Sequence, residues 1–97
     1  MTVIFRALND TTRRAILEML KSTELTAGEI AAAFDMTKPS ISHHLGILQQ
    51  AGLVDVRRSG RYLRYSLNTT VVEEAVGWLL GLAGRSANSK ETGLTPE

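Results

Sequence analysis

The chain has 97 residues, of which 43 % are hydrophobic and 22 % charged, with a net charge of +1. That is one folded globular domain, too short for a two-domain enzyme and too apolar for a disordered chain. Aromatics are only 5 %, so the core must come from Leu, Ile, Val and Ala, which points toward helices; the absence of cysteine excludes disulfides, thiolate metal sites, iron–sulfur clusters and cysteine nucleophiles, and fits a reducing cytoplasm.

The chain opens Met1-Thr2-Val3-Ile4-Phe5-Arg6, with no long hydrophobic region, so no secretory signal is read. No segment approaches the ~20 apolar residues that a membrane span requires, and no membrane insertion is expected. Residues 2–8 read as a short apolar turn or two. Asp10 then caps a helix through Leu20, in which Ile16, Leu17 and Leu20 keep helical spacing. The glycosylation-like triplets Asn9-Asp10-Thr11 and Asn68-Thr69-Thr70 read as helix caps.

Thr26-Ala27-Gly28-Glu29 is a capping box opening a short helix with Ile30, Ala31, Ala33 and Phe34, which ends near Asp35. Thr37 caps the next helix. Lys38-Pro39 occupies its first turn, where the missing proline N–H costs nothing, and Ile41, Leu45 and Leu48 form its apolar stripe. Gly52 stops it. Two helices joined by about three residues, the second opening with small polar side chains, make a helix-turn-helix pattern.

Residues 53–58 and 61–67 read as two strands around Ser59-Gly60, a hairpin wing. In the second strand Leu63, Tyr65 and Leu67 alternate with Tyr62, Arg64 and Ser66, giving one apolar and one wet, basic face. Thr70-Val71-Val72-Glu73 reads as a second capping box, opening a last helix that runs to about Gly84. Residues 1–85 are thus one domain, and 86–97 read as a disordered tail. The fold class is mainly α with a β-hairpin: a winged helix-turn-helix.

Charge is unevenly spread. Residues 36–67 carry five basic residues against the single acid Asp55, a net of +4, while the rest has six basic and nine acidic residues, a net of −3. With Ile41, Leu45 and Leu48 turned to the core, His43, Pro39 and Gln50 point away, Ser40 and Ser42 flank them, and His44 turns back toward the core boundary. Serine and histidine suit base edges and phosphates in a DNA major groove, and a helix N-terminus with Lys38 favours phosphate. Alone, this could be the solvent face of an amphipathic helix; the basic hairpin beside it tips the reading to DNA, with Arg58, Arg61 and Arg64 reaching the backbone or a narrow minor groove. The candidate DNA-contacting set is Lys38, Pro39, Ser40, Ser42, His43, His44, Arg57, Arg58, Arg61, Tyr62 and Arg64.

Thr11-Thr12-Arg13-Arg14-Ala15-Ile16-Leu17, the run from Ser40 through Leu48, Ala51-Gly52-Leu53-Val54 and the stretch from Gly60 through Leu67 resemble the ArsR family of dimeric bacterial winged-helix repressors. The resemblance covers residues 5–82, and within the family it is strongest to the thiol-free autorepressors of SdpR type. It implies that the first and last helices pair across a two-fold axis. The dimer-interface candidates are Val3, Ile4, Leu8, Val72, Val76, Trp78, Leu79 and Ala83, more apolar surface than so small a domain covers alone. A two-fold dimer would set two recognition helices about one DNA turn apart on a near-palindromic operator.

The resemblance also implies metal sites that this chain does not match. Thr26 and Gly28 stand where metal-sensing relatives have paired cysteines, and the last helix offers Glu73 and Glu74 but no histidine. His43 and His44 diverge by about 100° on their helix and cannot chelate one ion together. No metal or cofactor is expected, and release by a small molecule or a sequestering protein stays open. No acid orients either histidine, no glycine-rich phosphate loop exists and no surplus chain excludes water, so the chain is read as no enzyme. The expectation is a cytoplasmic, nucleoid-associated DNA-binding repressor. The alternatives are a winged-helix protein-interaction module, whose binding would survive charge reversal at Arg61, or an ArsR-like repressor with an unconventional small-molecule or metal effector.

Overall fold

A computed structural model describes residues 1–85; the segment read above as a disordered tail lies outside the described residues. In chain order the elements are α1 (Thr2–Leu8), α2 (Thr11–Leu20), β1 (Leu25–Thr26), α3 (Ala27–Phe34), α4 (Lys38–Gln50), β2 (Val54–Ser59), β3 (Tyr62–Leu67) and α5 (Thr69–Leu82). This is the expected winged helix-turn-helix, with α3 and α4 as the helix pair and the β2–β3 hairpin as the wing.

Three helices start on the side chains that the sequence singles out. The Asp10 carboxylate accepts the Arg13 N–H at 3.0 Å, and Thr37 Oγ1 accepts the Ser40 N–H at 3.2 Å. At Thr26 the capping box closes both ways, with Glu29 N–H donating to Thr26 Oγ1 at 3.1 Å and Thr26 N–H to the Glu29 carboxylate at 2.8 Å. Each bond satisfies a backbone donor that the first helical turn leaves free.

The last helix meets one expectation and departs from another. Asn68, read in the sequence as a cap, does cap α5 and accepts the Val71 N–H at 3.1 Å, but the capping box expected at Thr70 does not form because the helix has already begun at Thr69. Asn68 is itself fixed from two sides. Its N–H donates to the Leu53 carbonyl at 2.9 Å, and its Nδ2 to the Asp55 carboxylate at 3.3 Å. A cap clamped to the base of the wing sets the helix start, which puts Thr70 inside the first turn.

The chain passes from α3 to α4 through residues 35–37. Asp35 adopts φ +55°, a left-handed conformation that Asp tolerates better than most residues. The N–H groups of Asp35 and Met36 then return to the Ala32 and Ala31 carbonyls at 3.3 and 3.0 Å, satisfying the end of α3. At the far end of α4, Gly52 takes φ +79° and Leu53 N–H bonds back to the Leu48 carbonyl at 3.0 Å.

Ile41, Leu45 and Leu48 of α4 are fully buried against Ile16 and Leu20 of α2, Ile30 and Ala31 of α3, Ala7 of α1, and Leu53 and Val54. Burying each of the three side chains stabilises the fold by about 1.5–3 kcal/mol relative to exposure. Helix α4 is therefore the centre of the core, with only one face left for anything else.

The sheet is antiparallel in the order β1-β3-β2. Ser59 pairs with Tyr62, so the two turn residues are Gly60 and Arg61, one place later than the sequence reading centred them. Gly60, with φ +63°, occupies the first turn position, where two-residue hairpins favour glycine. Sequence reading missed β1. Its two residues pair Leu25 with Tyr65 and Thr26 with Arg64, tying the root of the wing to the start of α3.

Candidate nucleic-acid interface

Because α4 spends one face on the core, its N-terminal half turns Lys38, Pro39, Ser40, Ser42 and His43 outward, all of them exposed. The wheel placed His44 at the core boundary, and its side chain is 17 % exposed. There it faces inward company, including an acid that the sequence reading had not placed beside it: its Nδ1 lies 3.3 Å from Arg13 Nη1 and 3.8 Å from Asp10 Oδ2. His43 and His44 splay, with ring centroids 5.8 Å apart and planes at 58°. Of the α4 candidates, His44 alone is engaged within the fold.

The wing divides its arginines by strand parity. Arg57 and Arg64 are cross-strand partners on one face, Arg58 pairs with Leu63 on the opposite face, and Arg61 stands in the turn. Arg57, Arg58, Arg61 and Tyr62 are exposed, and Arg64 is half-buried. Two like charges directly opposite repel each other, yet each has an acid at hand. Arg57 forms an ion pair with Glu24, just before β1. Arg64 lies near Glu29, whose carboxyl is held below its ordinary value first by the Thr26 backbone N–H and further by the Arg64 charge, against some desolvation. Glu24 is a site-shaping residue that sequence reading did not find; its only signal is a charge 33 positions from its partner.

The candidate dimer residues split into two sets. Ile4, Leu8 and Val72 pack against the chain's own core. Val3, Val76, Trp78, Leu79 and Ala83 are exposed, and Met1 and Leu82 extend the same apolar character. Phe5 and Trp78 meet with ring centroids 5.7 Å apart at 55°, joining α1 to α5 along this surface.

Comparison with known proteins decides what kind of interface this is. Residues 10–56, from the cap of α2 into β2, match the family described as bacterial regulatory protein, arsR family. Over 88 residues the chain is 47 % identical to the transcriptional repressor SdpR of Bacillus subtilis (strain 168), covering 91 % of this chain and 98 % of that protein. The chain belongs to the ArsR family. It is 31 % identical to the transcriptional activator HlyU of Vibrio cholerae over 74 residues, 76 % of this chain and 68 % of HlyU. The crystal structure of an ArsR family transcriptional regulator superposes with a TM-score of 0.79 at 31 % identity, covering 86 % of this chain and 91 % of that one. As an ArsR-family winged helix it is a DNA-binding transcriptional regulator and not an enzyme.

Metal-sensing ArsR proteins imply a metal site, and the donors present here do not fit one. The Thr26 hydroxyl is spent on the capping box and Gly28 has no side chain to offer. Glu73 and Glu74 are adjacent on α5 and exposed. Among the described residues, no three His, Asp or Glu side chains come together in a group that could hold an ion. Likewise, no described helix is long and apolar enough to cross a membrane.

Proposed function

We propose that this ArsR-family chain is a homodimeric repressor, acting in the bacterial cytoplasm on a near-palindromic operator without a metal. In this reading α4 enters the major groove with Lys38, Pro39, Ser40, Ser42 and His43. The wing grips phosphate or the minor groove with Arg58, Arg61, Tyr62 and Arg64, and Arg57 joins them where Glu24 releases it. The observation that carries it is the division of α4: three side chains fully buried, and a polar, cationic N-terminal half left outside next to a basic hairpin. Likeness to the transcriptional repressor SdpR across nearly its whole length supports repression. Likeness to HlyU favours activation as the second reading. Release by a small molecule or a sequestering protein is compatible with both.

Fluorescence anisotropy with DNA from upstream of its own gene tests the proposal, with a scrambled duplex as control, chelator throughout and two salt concentrations. A preference of ~10³ or more with a steep salt dependence is expected. Weak and equal binding would defeat it. Transcription in vitro from the same DNA then separates the two signs, since a repressor lowers the transcript and an activator raises it.

A further inference from the structure

We propose that Arg13 is a positioning residue that sets the pose of the recognition helix through His44, working from the end of α1. The proposal rests on the DNA-binding role of α4. From α2, the Arg13 guanidinium reaches three places at once. Its Nε donates to the Ala7 carbonyl at 2.7 Å, its Nη2 to the Arg6 carbonyl at 3.3 Å, and its Nη1 faces His44 Nδ1 at 3.3 Å. A guanidinium has donors only, so a hydrogen bond here requires Nδ1 as its acceptor and leaves the ring proton on Nε2. Asp10, 3.8 Å from the same Nδ1, caps α2 through the Arg13 N–H and so holds Arg13 by its backbone as well.

The result is a chain of contacts from the last turn of α1, through a planar and rigid fork, to a side chain next to His43. The outer face of α1 is part of the surface assigned to the second protomer. A change in how α1 seats there is therefore delivered to α4 by hydrogen bonds as well as by packing. Two recognition helices must match two half-sites in spacing and angle, so their pose governs discrimination between sequences more than it governs phosphate binding.

The test exploits the two ring nitrogens. His44→Asn places an acceptor near the position of Nδ1, whereas His44→Gln places a polar group near that of Nε2. We expect His44→Asn to keep the operator-to-scrambled affinity ratio within about threefold of the parent. His44→Gln and His44→Ala should each lower it by about tenfold or more, as should Arg13→Lys, which keeps the charge but not the fork. Circular dichroism checks that each variant is folded. Independently of any DNA, nitrogen-15 spectra of the imidazoles in the unaltered protein should show His44 protonated on Nε2 and bare on Nδ1. Retention by Gln with loss by Asn would replace the proposal with a direct contact from Nε2 to DNA. Retention by all three His44 variants, or a His44 ring protonated on Nδ1, would overturn it. If the unaltered protein does not discriminate between duplexes, the proposed function and this consequence for DNA fall together, while the spectra still decide the Arg13–His44 bond.

Discussion

Asp10 accepts the Arg13 backbone N–H, and that bond, ahead of partial desolvation and helped by the Arg13 charge, holds its carboxyl below the ordinary carboxylate value. The folded form therefore binds its proton less readily than the unfolded chain. The stability this provides is complete above the unfolded value near pH 4 and is lost as pH falls through the folded one. Asp10→Asn keeps a good capping side chain but removes the titration. Its urea midpoint should fall less between pH 7 and pH 3 than the parent's; an equal fall would mean that this carboxylate contributes nothing to acid sensitivity. In the proposed pose His43, one residue before the half-buried contact to Arg13, would read bases, while Arg61 at the wing turn would meet only backbone or groove. His43→Ala should weaken operator binding by about 1–3 kcal/mol and leave scrambled DNA nearly unaffected. Arg61→Ala should weaken both duplexes alike and flatten the salt dependence by about one phosphate contact. Equal losses on both duplexes for His43→Ala would remove its base-reading role.

At the scale of elements, the wing is basic but internally restrained. Arg57 opposes Arg64 across the hairpin, and the Glu24 partner that offsets their repulsion also withholds one guanidinium from phosphate. Glu24→Gln should therefore steepen the salt dependence of scrambled-DNA binding by roughly one contact per wing. The loss of an exposed ion pair costs at most about 1 kcal/mol of stability, so the thermal midpoint should barely move. An unchanged salt slope would show that Arg57 does not reach DNA even when released. The same element shows where sequence reading stops. Helices 2, 3 and 4 could be read because each start is a local event: a side chain accepts an N–H three residues ahead. β1 could not, since two residues carry no periodicity and become a strand only because β3, about 40 positions later, arrives alongside. The sequence offers two starts for α5 for a related reason. Both Asn68 and Thr70 can cap, and a bond to Asp55 on another strand helps choose between them. Within the candidate site, the outward face of α4 was legible from its wheel, but the inward engagement of His44 depends on a residue 31 positions away.

For the molecule as a whole, the decisive quantity is the apolar surface that the single chain leaves open along α1 and α5. Leu82 is 69 % exposed and Trp78 47 %, with Val3, Val76 and Leu79 also exposed. A second copy would cover that surface, and with a two-fold axis it would fix the spacing of two α4 helices. Trp78 is the chain's only tryptophan, so it reports on the surface without a label. On dilution its emission should shift to longer wavelength as protomers separate, at the same concentration at which sedimentation shows the mass halving. Leu82 lies outside the core, so Leu82→Glu should leave the helical signal intact while placing like charges in an apolar contact. The variant should sediment as a monomer, show the red-shifted emission at every concentration, and keep weak scrambled-DNA binding while losing most of its operator preference. If it stays dimeric with an unshifted Trp78, the two-fold contact lies on another face, and the half-site geometry inferred from α1 and α5 fails with it.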